Sequence, residues 1–300
     1  LRQEITIDGP GLLSGRHVHL RLKPAPVNTG YVFIRVDLPT PSIVPARASL
    51  ITDTHRRTTL GLLPHGVTLV EHVLSALYGM GVDNCLIELD APEPPGLDGS
   101  SWSFAEAIRT VGTHTQRAKR TIWTVKEPIA VEAGLASLTL HPAERDELRI
   151  SYLLDYGPGS PIPRQRHSQL ITPESYLRDL APCRTFLLES EAQDLHRAGV
   201  GLHLTPADVL VYGKKGVIDN LPRFPNEPAR HKVLDIIGDI ALFGRELRGH
   251  IVGCRSGHPL NAELVHQLIA RLPQPRTNEP EPLSSATVAS DSAKERYRWN

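Results

Sequence analysis

Apolar and polar positions alternate through the first part of the chain. Val18, Leu20 and Leu22 fall on one face of HVHLRLKPA, and Val32, Ile34, Val36 and Leu38 on one face of YVFIRVDLP. A period of two is the pattern of half-buried strands, so strands dominate this region. TLVEHVLSALYGMG changes to helical spacing, with Leu69, Val73, Leu74 and Leu77 on one side and glycines at its end. NCLIELDAPEPPGLDGS reads as a strand entering a Pro/Gly loop, with a short helix following around SFAEAIRTVG. Beyond the basic stretch THTQRAKR, strands return in TIWTVKEPIAVEAG, LASLTLHPA and ELRISYLLDY, and two helices follow in ARHKVLDIIGDIALFG and LNAELVHQLIARL. The order strands, helix, strands, helix predicts an α+β protein of two similar domains, residues 1–115 and 116–272. From about Leu272 the chain is Pro, Glu, Ser, Thr and Ala without periodicity, which predicts a disordered tail over residues 273–300.

Composition narrows the function classes. The chain has 300 residues, 40% of them hydrophobic, enough for a substantial core. Lys+Arg and Asp+Glu are both 33, so there is no basic field to favour nucleic acid. The 3 cysteines, Cys85, Cys183 and Cys254, form no CxxC pair, which argues against a disulfide framework and against thiolate zinc. No run approaches the roughly 18 apolar residues of a membrane span, and LRQEITIDGP lacks the apolar stretch of a signal peptide. A cytoplasmic monomer is expected.

ARHKVLDIIGDIALFG carries His231, Asp235 and Asp239 along one stripe of an otherwise apolar helix, with Val233, Leu234, Ile236, Ile237, Ile240 and Leu242 around them. Side chains at i and i+4 share a helix face, so His231 and Asp235 can converge on one ion, and Asp239 lies one turn further along. A surface His/Asp pair is the plain alternative, but an apolar surround turns the stripe toward a cleft or the interior. A catalytic zinc takes about three protein ligands. His72 is the best third candidate, because Glu71 beside it is placed to take a proton from attacking water. Thr68-x-x-Glu71 equally fits a capping box, in which Glu71 would only satisfy a helix N-terminus, and the sequence does not choose between the two. CRSGHPLN adds His258 in a Gly-containing turn, a suitable general acid. APCRTFLLE adds Thr185, a hydroxyl for an oxyanion or simply a strand threonine.

Taken together, GPGLLSG, LKPAPVNTGYVFIRVDL, VEHVLSALYGMGVDNCLIELDAPEPPGLDGS, RTF, RHKVLDIIGD and SGHPLN resemble the UDP-3-O-acyl-N-acetylglucosamine deacetylase family of bacterial lipid A biosynthesis. The match is collinear and covers nearly all of the chain before the tail. The resemblance implies a zinc amidase of two α+β domains, each a β-sheet packed on helices, with the active site between them, acting on UDP-3-O-acyl-N-acetylglucosamine. It implies Zn²⁺ on His72, His231 and Asp235, Glu71 as general base and His258 as general acid. By the same resemblance Asp239 pairs with that histidine, Thr185 helps to stabilise the oxyanion, and Phe186 and Lys232 contact substrate. Two departures stand out: Leu13 in GLLSG occupies a place where the family usually has histidine, and Leu204, Thr205, Pro206 and Ala207 replace its Gly-rich turn and Asp-Asn-like pair. Outside the resemblance, two histidines and a carboxylate also suit a non-haem iron oxygenase. A paralogue that acts on another acylated amino sugar, or that binds without turnover, is the remaining alternative.

Overall fold

The computed structural model describes residues 1–206 and 208–273. Ala207 and all of the expected tail beyond Pro273 lie outside the described residues.

The first sheet contains β1 (Ile5–Pro10), β2 (His17–Pro24), β3 (Tyr31–Arg35) and β4 (Ser42–Pro45). A small three-stranded sheet follows, of β5 (Ile51–Asp53), β6 (Thr59–Leu60) and β7 (Val67–Thr68). Next come α1 (Glu71–Gly79), β8 (Cys85–Leu89), which completes the first sheet, and α2 (Trp102–Val111). The second sheet is built from β9 (Ile122–Thr124), β10 (Ile129–Ala133), β11 (Ala136–His141), β12 (Leu148–Leu154) and β13 (Gln165–Leu170). Then come α3 (Pro173–Asp179), β14 (Phe186–Leu188), α4 (Glu189–Arg197), β15 (Leu210–Gly213) and β16 (Gly216–Val217), the last three strands forming another small sheet. The described chain closes with α5 (Glu227–Ile240), β17 (Glu246–Cys254) and α6 (His258–Ala270).

The two large sheets repeat one plan. The first runs β1-β2-β8-β3-β4 and the second β10-β11-β17-β12-β13, with β9 added beside β17. In both, two hairpins flank a later strand that is antiparallel to the first hairpin and parallel to the second. In both, a small sheet is inserted between the second hairpin and the helix that precedes the central strand. By this plan α1 and α5 are counterparts, and they pack against each other.

The period-two reading of β2 holds: Val18, Leu20 and Leu22 are fully buried. For β3 the faces are reversed. Phe33 and Arg35 point into the core, while Val32, Ile34, Val36 and Leu38 are only half-buried. Arg35 tolerates burial because every arm is used: it pairs with Asp37 at 2.8 Å and donates to the carbonyls of Pro64 and Gly66 at 2.9 and 2.7 Å. Helix α1 is shorter than its spacing suggested. Leu69 stands outside it with φ +55°, and Val73, Leu74 and Leu77 form the buried face.

Candidate metal centre and active site

Helices α1 and α5 approach so closely that a Cβ on Gly238 would lie 2.2 Å from the backbone oxygen of Glu71. Ser75 Oγ donates to the Leu234 carbonyl at 2.9 Å across the same contact. Glycine at 238 therefore sets the first turn of α1 against the polar stripe of α5. His231, Asp235 and Asp239 on that stripe are 2%, 3% and 2% exposed, so they face the interior and are not a surface pair.

His72 meets that stripe. Ligand atoms of His72, His231 and Asp235 all lie within 4.8 Å of one another, and no other such group occurs among the described residues. Asp235 Oδ1 is 3.3 Å from His231 Nε2 and 3.9 Å from His72 Nε2. Tetrahedral ligands at ~2.1 Å from zinc stand about 3.4 Å apart, so the triangle matches one ion. The chemistry of the donors fits as well. His231 Nδ1 lies 3.0 Å from the Cys183 carbonyl, which can only accept, so the ring proton sits there and Nε2 is left bare for a metal. Burial and the neighbouring His231 hold His72 down at about 3, in the neutral form that ligates. Burial works against charge on Asp235, but His231 and Lys232 outweigh it and hold the carboxyl well below the usual range.

Glu71 opens α1 and makes no capping box. Val70 occupies the cap position, and Thr68 Oγ1 engages Thr59 at 2.8 Å and Arg57 at 2.9 Å. Glu71 Oε2 accepts from the Thr58 backbone N–H at 3.1 Å. Its Oε1 is 4.0 Å from His258 Nε2, the same distance that separates this nitrogen from Asp235 Oδ2. Burial lifts the Glu71 carboxyl to about 7; His258 opposes the rise, and Asp239 and Asp235 add to it.

His258 is the first residue of α6, not part of the preceding turn. Its Nδ1 is 2.7 Å from Asp239 Oδ2, and that carboxylate also accepts from Thr58 Oγ1 at 2.6 Å and Asn261 Nδ2 at 2.8 Å. Burial disfavours a charged ring, yet Asp239, then Asp235 and Glu71, raise His258 to about 9. The approaches to both residues are strained: Leu69 and Arg255, shortly before Glu71 and His258, have φ of +55° and +53°.

Glu71, His72, His231, Asp235 and His258 line a cavity of about 550 Å³. Thr185 and Phe186 line it too, and the Phe186 ring centroid is 6.1 Å from that of His231. Lys232 Nζ donates to Asp235 Oδ2 at 2.8 Å and lies 5.6 Å from the Phe186 centroid. The rest of the wall is largely apolar, with Leu187, Leu195, Val200, Val209, Val211 and Ile218 contributed around α4 and its small sheet. Leu13, Leu204, Thr205 and Pro206, the unusual positions, are also in the wall.

Eight of the nine candidate residues thus line one cavity, and the ninth, Asp239, stands behind it on His258 Nδ1. Sequence reasoning missed Thr58, which binds both Glu71 and Asp239, because HRRTTL carries no motif. Asn261 was within reach: it lies three residues beyond His258 on the same helix.

A triangle of candidate metal ligands flanked by a carboxyl and an imidazole, in the wall of a largely apolar cavity, fits a metal-dependent amidohydrolase. Residues 1–270 match the family model LpxC: UDP-3-O-acyl N-acetylglycosamine deacetylase. The UDP-3-O-acyl-N-acetylglucosamine deacetylase of Trichormus variabilis is 38% identical over 275 residues, covering 90% of this chain and 97% of its own length. That of Myxococcus xanthus is 36% identical over 268 residues, covering 88% and 84%. The bifunctional enzyme LpxC/FabZ of Chlorobaculum tepidum is 37% identical over 296 residues, and this chain covers 63% of its length. The chain belongs to the LpxC family, the deacetylases of lipid A biosynthesis. That membership sets aside the iron oxygenase. No helix among the described residues is long and apolar enough to cross a membrane.

Proposed function

We propose that the chain is a zinc-dependent hydrolase that removes the N-acetyl group of UDP-3-O-acyl-N-acetylglucosamine, releasing acetate and UDP-3-O-acyl-glucosamine. The observation that carries this reading is the meeting of His72 with the His231/Asp235 pair, with Glu71 and His258 both within 4.0 Å of one another on its flank. The residues also support two domains, 1–115 and 116–272, with the site at their interface.

Zinc held by His72, His231 and Asp235 would act as a Lewis acid on the acetamide carbonyl and lower the pKa of water beside it. Glu71, lifted to about 7 by burial, takes the proton of the attacking water on its carboxylate. The Thr185 hydroxyl donates to the oxyanion that develops on the former carbonyl. His258, with Nδ1 tied to Asp239, offers Nε2 to the cavity and delivers its proton to the departing amine. Lys232 provides a positive charge toward the sugar nucleotide, and Phe186 an apolar wall against it. The apolar stretch of the cavity suits the fatty-acyl chain, and Leu204 with its neighbours sets the length it admits.

Acetate release from UDP-3-O-acyl-N-acetylglucosamines of graded acyl length, with and without a chelator, tests the reading. Chelator-sensitive release with a preferred length is the expected result. Release only from another acylated amino sugar would make the chain a paralogue of altered substrate, and release from none would make it a binding protein.

A further inference from the structure

The pair Arg184 and Glu227 has no part in the reaction described above, yet it is among the most deeply buried charge pairs of the molecule, at 4% and 0% exposure. Glu227 accepts from Arg184 Nε at 2.9 Å and Nη2 at 3.3 Å, and from the Arg223 backbone N–H. Arg184 spends its other donors on Asn220 Oδ1 at 3.1 Å and the Leu221 carbonyl at 2.8 Å. A satisfied buried ion pair contributes little net stability over well-packed apolar residues, so its presence invites a more specific reason.

Backbone geometry supplies one. Glu227 Oε1 also accepts from the Arg184 backbone N–H at 2.9 Å. That N–H belongs to the same peptide unit as the Cys183 carbonyl, which accepts from His231 Nδ1 at 3.0 Å. Glu227 and His231 stand one turn apart on α5 and hold opposite ends of a single peptide plane.

We infer that Glu227 is a positioning residue for the metal centre, orienting and polarising His231 through the peptide unit that joins Cys183 to Arg184. A carboxylate on the N–H end increases the negative charge on the carbonyl end, because hydrogen bonds in a chain reinforce one another. The stronger acceptor fixes the Nδ1–H tautomer and makes Nε2 a better ligand, the part usually played by a carboxylate directly on a metal-bound histidine. The inference rests on the metal reading of His231 but not on the reaction assigned to it.

The test is zinc affinity of the apo protein, by competition with a chromophoric chelator, together with thermal melting of the same samples. Glu227→Gln is expected to bind zinc about 10 to 100 times more weakly, the scale for loss of such a supporting partner. Arg184→Lys keeps both the backbone N–H and the Glu227 charge, so it is expected to melt lower but bind zinc like the wild type. A folded Glu227→Gln protein with undiminished zinc affinity overturns the inference, as does an Arg184→Lys protein weakened equally, which would make the pair a general brace. If Glu227→Gln does not fold, nitrogen NMR of histidine-labelled wild-type apo protein decides. The proton must reside on His231 Nδ1, with the Arg184 amide proton far downfield; an Nε2–H tautomer overturns the proposal. None of these readouts uses acetate release, so failure here is distinct from failure of the proposed reaction.

Discussion

His258 Nδ1 lies 2.7 Å from Asp239 Oδ2, and Thr58 and Asn261 hold the same carboxylate from two further sides, at 2.6 and 2.8 Å. Asp239 is therefore fixed as an acceptor for the ring, and the second ring nitrogen lies 4.0 Å from both Glu71 Oε1 and Asp235 Oδ2. The imidazolium is the stabilised form, which is why His258 rises to about 9 despite its burial.

That relationship predicts a shift in the pH profile. An acid must be protonated to act, so turnover that depends on His258 is lost as pH rises through its pKa. Asp239→Asn removes the charge that favours imidazolium, and the alkaline limb of kcat/KM should move to lower pH, with activity at pH 8 reduced about 10- to 100-fold, the loss of protonated His258 at that pH as its pKa falls back toward about 6.5. A profile across pH 5 to 10 on both proteins measures it. An unmoved alkaline limb would show that Asp239 does not tune His258.

Glu71→Gln separates chemistry from helix capping. The side chain accepts from the Thr58 N–H and caps nothing on α1, and glutamine retains an acceptor of the same length. Melting temperature and zinc content should stay near wild type while kcat falls at least about 100-fold, the scale of a lost general base. A variant that melts lower by the equivalent of about 1 kcal/mol, the size of a lost cap, yet turns over normally would restore the capping interpretation.

Metal removal should be reversible. A chelator is expected to abolish acetate release, and stoichiometric zinc to restore it, because the three donors are already disposed around one point. His231→Ala leaves two of the three, so the purified variant should retain well under one zinc per chain by elemental analysis. Stoichiometric metal in that variant would contradict the ligand set.

Much of this site was legible because its residues obey local rules. His231 and Asp235 sit at i and i+4, and their apolar neighbours already excluded a solvent-facing stripe. His72 could be paired with them only through its neighbour Glu71 and the family likeness, since no local spacing links α1 to α5. Thr58 and the peptide between Cys183 and Arg184 were invisible for a deeper reason: they act through backbone groups or from motif-free segments, and backbone donors have no letter of their own. The misreading of β3 has the same root. In YVFIRVDLP the face of Val32, Ile34, Val36 and Leu38 is wholly apolar while the face of Phe33 carries Arg35 and Asp37, and nothing local reveals that Arg35 is buried by carbonyls from residues 64 and 66.

Gly238 offers the sharpest test of how the two helices are joined. Judged by helix propensity alone, Gly238→Ala in the last turn of α5 should stabilise the protein by up to about 1 kcal/mol. The packing argues the other way. A methyl group at this position would come within 2.2 Å of the Glu71 backbone oxygen and 2.8 Å of its carbonyl carbon, atoms that cannot swing aside like a side chain. Relief requires α1 to move from α5, at a cost of about 1 to 3 kcal/mol for overpacking. The displacement carries Glu71 and His72 away from Asp235, so weaker zinc binding and a lower kcat should accompany the lower melting temperature. Gly238→Ser should be worse still, with a larger side chain in the same gap. An alanine variant that melts at or above the wild-type temperature and keeps its zinc affinity would mean that the close approach of α1 to α5 does not hold the metal triangle together.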